Sequence, residues 1–152
     1  MDDDAVAAFI EGFALSLTEA GMQRMASRMF GALLVADDGR LTAKEVADQL
    51  KVSPAAVSGA VSYLTQTKLI TRVREPGDRV DHYSVGEQPW FETLMARTDS
   101  IEKMVDWMRK GSAALPQGSP AQVRMDETRE FFEYLQAEMP RIIDRWRESK
   151  HA

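Results

Sequence analysis

The side chains able to do covalent chemistry are few. Histidine occurs twice, at positions 82 and 151, and cysteine does not occur. No Gly-rich phosphate loop and no nucleophile elbow can be read, so neither a catalytic activity nor a cofactor is expected. Asp78, Asp81 and His82 are metal-ligating types close together. His82 beside Tyr83 in a strand reads more simply as a solvated or phosphate-facing side chain, so no metal is expected. Hydrogen-bonding and phosphate-pairing groups are better organised. Ser53, Ser58 and Ser62 fall within VSPAAVSGAVSYL (52–64), and Arg72, Arg74 and Arg79 follow in TRVREPGDRVDHYSV (71–85). Hydroxyls donate or accept at base edges and phosphates, and guanidinium groups pair with phosphates.

These residues need elements to hold them. Val57, Val61 and Leu64 recur at helical spacing and would bury one face of a helix. Ala55, Ser58, Gly59 and Ser62 fall on the other face, where a solvated helix would carry Glu, Lys or Gln. A face so bare suits the close approach of another large molecule. Ser53 is the N-cap and Pro54 sits at the first helical position, where its missing N–H is harmless. Just upstream, Thr42-Ala43-Lys44-Glu45 is a capping box opening a short helix that buries Val46, Ala47 and Leu50. Downstream, two β-prone runs flank Pro76-Gly77-Asp78, a hairpin signal.

Two short helices joined by about three residues and followed by an Arg-bearing hairpin suggest a winged helix-turn-helix that takes double-stranded DNA as its partner. The major groove is about 12 Å wide and admits one helix if small side chains let its backbone approach. Ser58 and Ser62 would meet base edges or phosphates, and Ala55 a thymine methyl. The capped helix start at Ser53 and Pro54 would face a phosphate. Gly59 adds closeness; Tyr63, Gln66 and Lys68 are candidate phosphate contacts. Arg72 and Arg74 share a hairpin face, and Arg79 at the tip would enter a minor groove. The competing reading is a winged-helix protein–protein interaction module without DNA binding, its small residues packed against another helix. Duplex binding with a steep salt dependence separates the two.

Composition fits this picture. The chain has 152 residues, 44% hydrophobic and 28% charged, in keeping with a globular protein. No apolar run approaches the ~20 residues that span a bilayer, and MDDDAVAAF lacks the basic start of a secretory signal. A cytoplasmic protein without a membrane partner is expected. The net charge is −5, yet residues 40–85 hold seven Lys or Arg against five Asp or Glu. A mildly basic island therefore sits in an acidic chain.

The remaining pattern is helical. Helices are expected over 3–20, ended by Gly21, and over 22–35, followed by a turn at Asp37-Asp38-Gly39. A stripe of Phe91, Leu94, Thr98, Ile101, Val105 and Met108 predicts one helix over 88–110. GSAALPQGSP (111–120) reads as a loop. From about 121 a last helix carries Thr128, Phe132, Leu135, Met139, Ile142 and Trp146, and Pro140 should kink or split it. The stripe Phe132, Leu135, Met139, Ile142 and Trp146 is the candidate homodimer interface. Phe13, Met25, Met29, Trp90 and Met95 are candidates for a pocket, since thioethers and rings adapt to varied apolar ligands. The fold expected is mainly α (α+β): a winged helix-turn-helix over 22–87, with dimerisation helices from 1–21 and 88–152.

Three stretches carry a resemblance: GMQRMASRMFGALL (21–34), LTAKEVADQLKVSPAAVSGAVSYL (41–64) and LITRVREPGDRVDHYSV (69–85). They resemble the MarR superfamily and, within it, the GbsR-like branch of multidrug or osmolyte-type regulators. The resemblance implies a homodimeric winged-helix repressor dimerised by its first and last helices and reading a palindromic operator. It implies that Ser53 to Tyr63 read the major groove, that Arg79 is the wing arginine, and that a small lipophilic effector is a partner. Two positions depart from the pattern. Lys68 stands where many relatives have Gly before the Leu-Ile pair, and Val80 follows Arg79 where many have a second Arg.

Overall fold

Asp2 opens the first helix, α1 (Asp3–Glu19), by accepting a hydrogen bond from the Ala5 amide at 3.1 Å. Asp3 and Asp4 add negative charge where the helix dipole favours it. Ile10, Ala14 and Leu17 are its buried face. Gly21, at φ 104, turns the chain into α2 (Arg24–Val35), which is buried from Ala26 to Leu33 apart from Arg28. Gly31 lies against Ile10, whose Cγ2 would be 3.5 Å from an added Cβ. Arg28 pairs with Glu11 at 2.8 Å and donates to the Leu50 carbonyl at 3.2 Å, tying α2 to its neighbours. The computed structural model describes residues 2–86, 89–97 and 99–152.

The turn at Asp37-Asp38-Gly39 forms, with Gly39 at φ 66. It leads into β1 (Arg40–Thr42), a strand the sequence pattern did not announce. The expected capping box is present: Thr42 accepts from the Glu45 amide, and Glu45 from the Thr42 amide. It starts α3 (Ala43–Leu50). Lys51 at φ 58 ends that helix, and Ser53 caps α4 (Pro54–Gln66) by accepting from Ala56. Val57, Ala60, Val61 and Leu64 are buried, as the spacing predicts. After α4, Lys68 adopts the left-handed region at φ 62, and the Leu69 amide donates back to the Leu64 carbonyl. Glycine is therefore not needed for this helix end; the same backbone is reached with lysine.

β2 (Thr71–Val73) and β3 (His82–Ser84) form the hairpin, and β1 joins the far side of β3, giving a three-stranded antiparallel sheet in the order β1-β3-β2. Arg72 lies opposite Tyr83, and Val73 opposite His82.

The chain divides into two compact units at Trp90/Phe91. By compactness, residues 1–21 belong with the first unit, α1 lying against α2, whereas the division expected from the sequence groups them with 88–152. Boundary residues 87 and 88, like Thr98, lie outside the described residues.

The second unit differs from expectation in three ways. The helix predicted over 88–110 is two, α5 (Trp90–Met95) and α6 (Asp99–Ala114). The predicted loop starts later, because α6 runs on to Ala114. Gly111 stays helical with Met125 close by, 3.4 Å from where its Cβ would stand. A small residue at that point suits close helix packing, a role its loop-like composition conceals. Finally, α7 (Pro120–Lys150) is not split at Pro140 but continues as one helix. Ser119 caps it, and proline removes one N–H, the partner of the Gln136 carbonyl, without ending the helix.

Candidate nucleic-acid interface

The outer face of α4 is as bare as its sequence suggests. Ser53, Pro54, Ala55, Ser58, Gly59 and Ser62 are all exposed, while Tyr63 is half-buried at the edge. A Cβ added at Gly59 would meet no heavy atom within 4 Å. Ser53 caps the helix, and among the described residues the hydroxyls of Ser58 and Ser62 make no side-chain hydrogen bond. Because the other face of α4 is locked into the core by Val57, Val61 and Leu64, the bare face is held rigidly outward.

The hairpin is built around its own charges. Asp78 accepts from the Glu75 amide at 2.8 Å, and the Asp78 amide donates to the Glu75 carbonyl at 3.0 Å, closing the Pro76-Gly77 turn. Asp81 lies 3.5 Å from Arg72 Nε and 3.8 Å from Arg74 Nε. Arg72 also sits over the Tyr83 ring at 5.8 Å, and Arg74 donates to the Arg79 carbonyl at 2.7 Å. Arg79 is exposed, and among the described residues its guanidinium has no ion-pair partner. The Arg72 and Arg74 side chains are 60% and 58% exposed, so each pair with Asp81 is worth at most about 1 kcal/mol. A phosphate can compete with ion pairs that weak.

Asp81 is the functional candidate that sequence reasoning missed, having weighed it only as a metal ligand. Its carboxylate faces arginines. His82 Nδ1 lies 3.5 Å from Asp78, and no cluster of three metal-ligating side chains forms among the described residues. The signal for Asp81 was available: with Val73 opposite His82, one step toward the turn sets Arg74 across from Asp81.

Of the candidate pocket residues, Phe13, Met25, Met29 and Trp90 belong to the first unit and Met95 to the second. Phe13 and Trp90 meet edge-on at 6.2 Å, and Trp90 also meets Phe30 at 5.2 Å. Met29 is wholly buried in the core and Met25 half-buried. A cavity of about 680 Å³ in the first unit is lined instead by residues such as Val6, Ile10, Arg28, Leu41 and Leu50. Met95 belongs to the second unit, where it shares an apolar groove of about 480 Å³ with Phe91, Ile142 and Trp146. On α7 the candidate interface residues Phe132, Leu135 and Met139 are half-buried, and Ile142 and Trp146 are exposed at 45% and 43%. None of the helix's 31 residues is buried.

A helix-turn-helix with a bare outer helix face and a three-stranded sheet ending in an Arg-bearing hairpin defines a winged helix-turn-helix protein. Two family descriptions match in succession: "MarR family" over residues 20–79, and "MmpR5-like MarR family transcriptional regulator" over 88–149. Both are MarR-family models, and between them they cover most of the chain, which supports a MarR-family winged-helix transcription regulator; members of that family bind DNA and act as dimers. It is similar to the HTH-type transcriptional regulator MmpR5 of Mycobacterium tuberculosis (strain ATCC 25618 / H37Rv), at 26% identity over 129 residues covering 84% of this chain and 78% of that one. A crystal structure of a transcriptional regulator shares the fold at a TM-score of 0.78 and 24% identity, over 95% of this chain and 99% of that one. No helix among the described residues is long and apolar enough to cross a membrane.

Proposed function

We propose that the protein is a cytoplasmic repressor that binds a palindromic operator in double-stranded DNA as a homodimer. The observation that carries this reading is the empty space over Gly59. Glycine inside a helix costs about 1 kcal/mol relative to alanine, and among the described residues no atom lies within 4 Å of a Cβ added there, so this bare face is open to the close approach of a partner. Duplex DNA is the partner that fits. Ser58 and Ser62 read base edges, Ala55 meets a thymine methyl, and the α4 start at Ser53 and Pro54 approaches a phosphate with Tyr63 at its flank. Arg79 enters the minor groove, while Arg72 and Arg74 serve the backbone.

The uncovered stripe on α7, Phe132, Leu135, Met139, Ile142 and Trp146, supports dimerisation through 88–152 together with 1–21, leaving 22–87 as the DNA-binding part. The rings of Phe13 and Trp90, with Met25, Met29 and Met95, are the residues we associate with a small lipophilic effector that releases the repressor. Within the family, the likeness of residues 21–85 to GbsR-like regulators is retained as the finer reading of that segment.

Selection from a pool of random duplexes tests this directly. The wild type is expected to enrich a two-fold symmetric site with half-sites about 34–36 Å, or a multiple of that, apart. Ser58→Glu sets a carboxylate against phosphates and base acceptors, and should weaken binding to that site about tenfold or more while leaving the melting temperature unchanged. Normal binding by Ser58→Glu would take α4 out of the major groove. A wild type that retains no duplex at all would leave the winged helix as a protein–protein interaction module.

A further inference from the structure

The wing holds three arginines, but they are not equivalent. Asp81 engages Arg72 at 3.5 Å and Arg74 at 3.8 Å. Arg72 is further held over Tyr83, and Arg74 by the Arg79 carbonyl. Together Arg72, Arg74 and Asp81 present one net positive charge instead of two. Arg79 stands apart from this set.

We propose that Asp81 is a positioning residue for DNA recognition. It occupies the guanidiniums of Arg72 and Arg74, so that a duplex of arbitrary sequence is met chiefly by Arg79, and it thereby sets the strength of sequence-independent binding. This rests on the DNA-binding reading above. The physical reason is exchange. A phosphate that takes either arginine displaces a carboxylate already in place, so the net gain is smaller than that of pairing a free guanidinium. On a site where α4 has docked, the phosphates are fixed beside the wing and the exchange proceeds. On an arbitrary duplex the protein is not held in that register, and the arginines stay with Asp81. The carboxylate thus lowers affinity for unrelated DNA more than affinity for the operator.

The experiment is a titration of the full chain against a random-sequence duplex and against the site recovered by selection, at several salt concentrations. Asp81→Asn is nearly isosteric and removes the charge. It should raise affinity for the random duplex several-fold, and steepen the slope of log affinity against log salt by about 0.9 per wing, or about 1.8 per dimer. The ratio of operator to random affinity should shrink, and Asp81→Glu should restore it. An unchanged slope overturns the proposal. So does an equal loss on both duplexes without steepening, which is what a merely structural brace of the hairpin would give. A second test leaves Asp81 in place: the double variant Arg72→Gln with Arg74→Gln should lose less random-duplex affinity than Arg79→Gln alone, and a larger loss overturns the proposal. A wild type that binds neither duplex overturns the DNA reading itself, and the proposal with it.

Discussion

The two units of this chain solve the problem of burial differently. The first closes its own core: Phe30, Met29, Leu33, Val46, Val57, Leu64 and Leu69 are all but inaccessible. The second closes almost nothing; Val105 is its one buried residue among those described, and Trp107, Phe131 and Tyr134 are more than half exposed. Exposed surface also means different things in the two. The bare face of α4 is small and polar, which suits transient contact with a hydrated partner. The stripe on α7 is large and apolar, and helices packed so loosely gain little from burial unless something covers them.

Phe30→Ala should cost about 3–5 kcal/mol by emptying a fully packed site, read as a fall in the denaturation midpoint of the first unit. A loss below about 1 kcal/mol would mean that the first unit is not a self-sufficient core. Leu135→Glu should convert the dimer to monomer or aggregate in sedimentation, because a charge would be covered without a partner. A stable dimer in that variant would remove α7 from the interface and undo the contrast. Gly59→Ala tests the bare face of α4 through a smaller effect. It should stabilise α4 by about 0.5–1 kcal/mol in thermal melting, since the new methyl enters open space, and yet weaken operator binding. An alanine variant that gains stability and binds as before would show that α4 has no close partner.

Local signals carried most of the first unit. The Thr42 capping box, the Ser53-Pro54 start and the Pro76-Gly77-Asp78 turn are each decided by neighbours a few residues apart, and all three formed. What escaped depends on partners distant in sequence. Arg40 to Thr42 are too few for their polar–apolar–polar alternation to announce a strand, and they become one by pairing with His82 to Ser84. In the second unit, the regular steps of the stripe conceal the break between α5 and α6, because periodicity records which face is apolar and not where the backbone bends. Pro140 does not split its helix: a solitary missing N–H is tolerated where the helix continues on both sides. In the candidate site, residue types and exposure on α4 were legible. The pairing of Asp81 with Arg72 and Arg74 was not, because it needs the hairpin register before the charges can be placed opposite one another.

The left-handed turn at Lys68 makes that position a reserve for sequence change. A residue with a Cβ at φ 62 lies about 1–2 kcal/mol above glycine in the same conformation. A cationic residue just past the last turn of α4 offsets at most about 0.3–1 kcal/mol of that through the helix dipole. The balance is strain that a glycine would release without disturbing any buried side chain, since Lys68 is exposed. A lineage that made this exchange could then absorb a destabilising substitution on the recognition face and still fold, so position 68 governs how freely the face of α4 can drift toward new sequences.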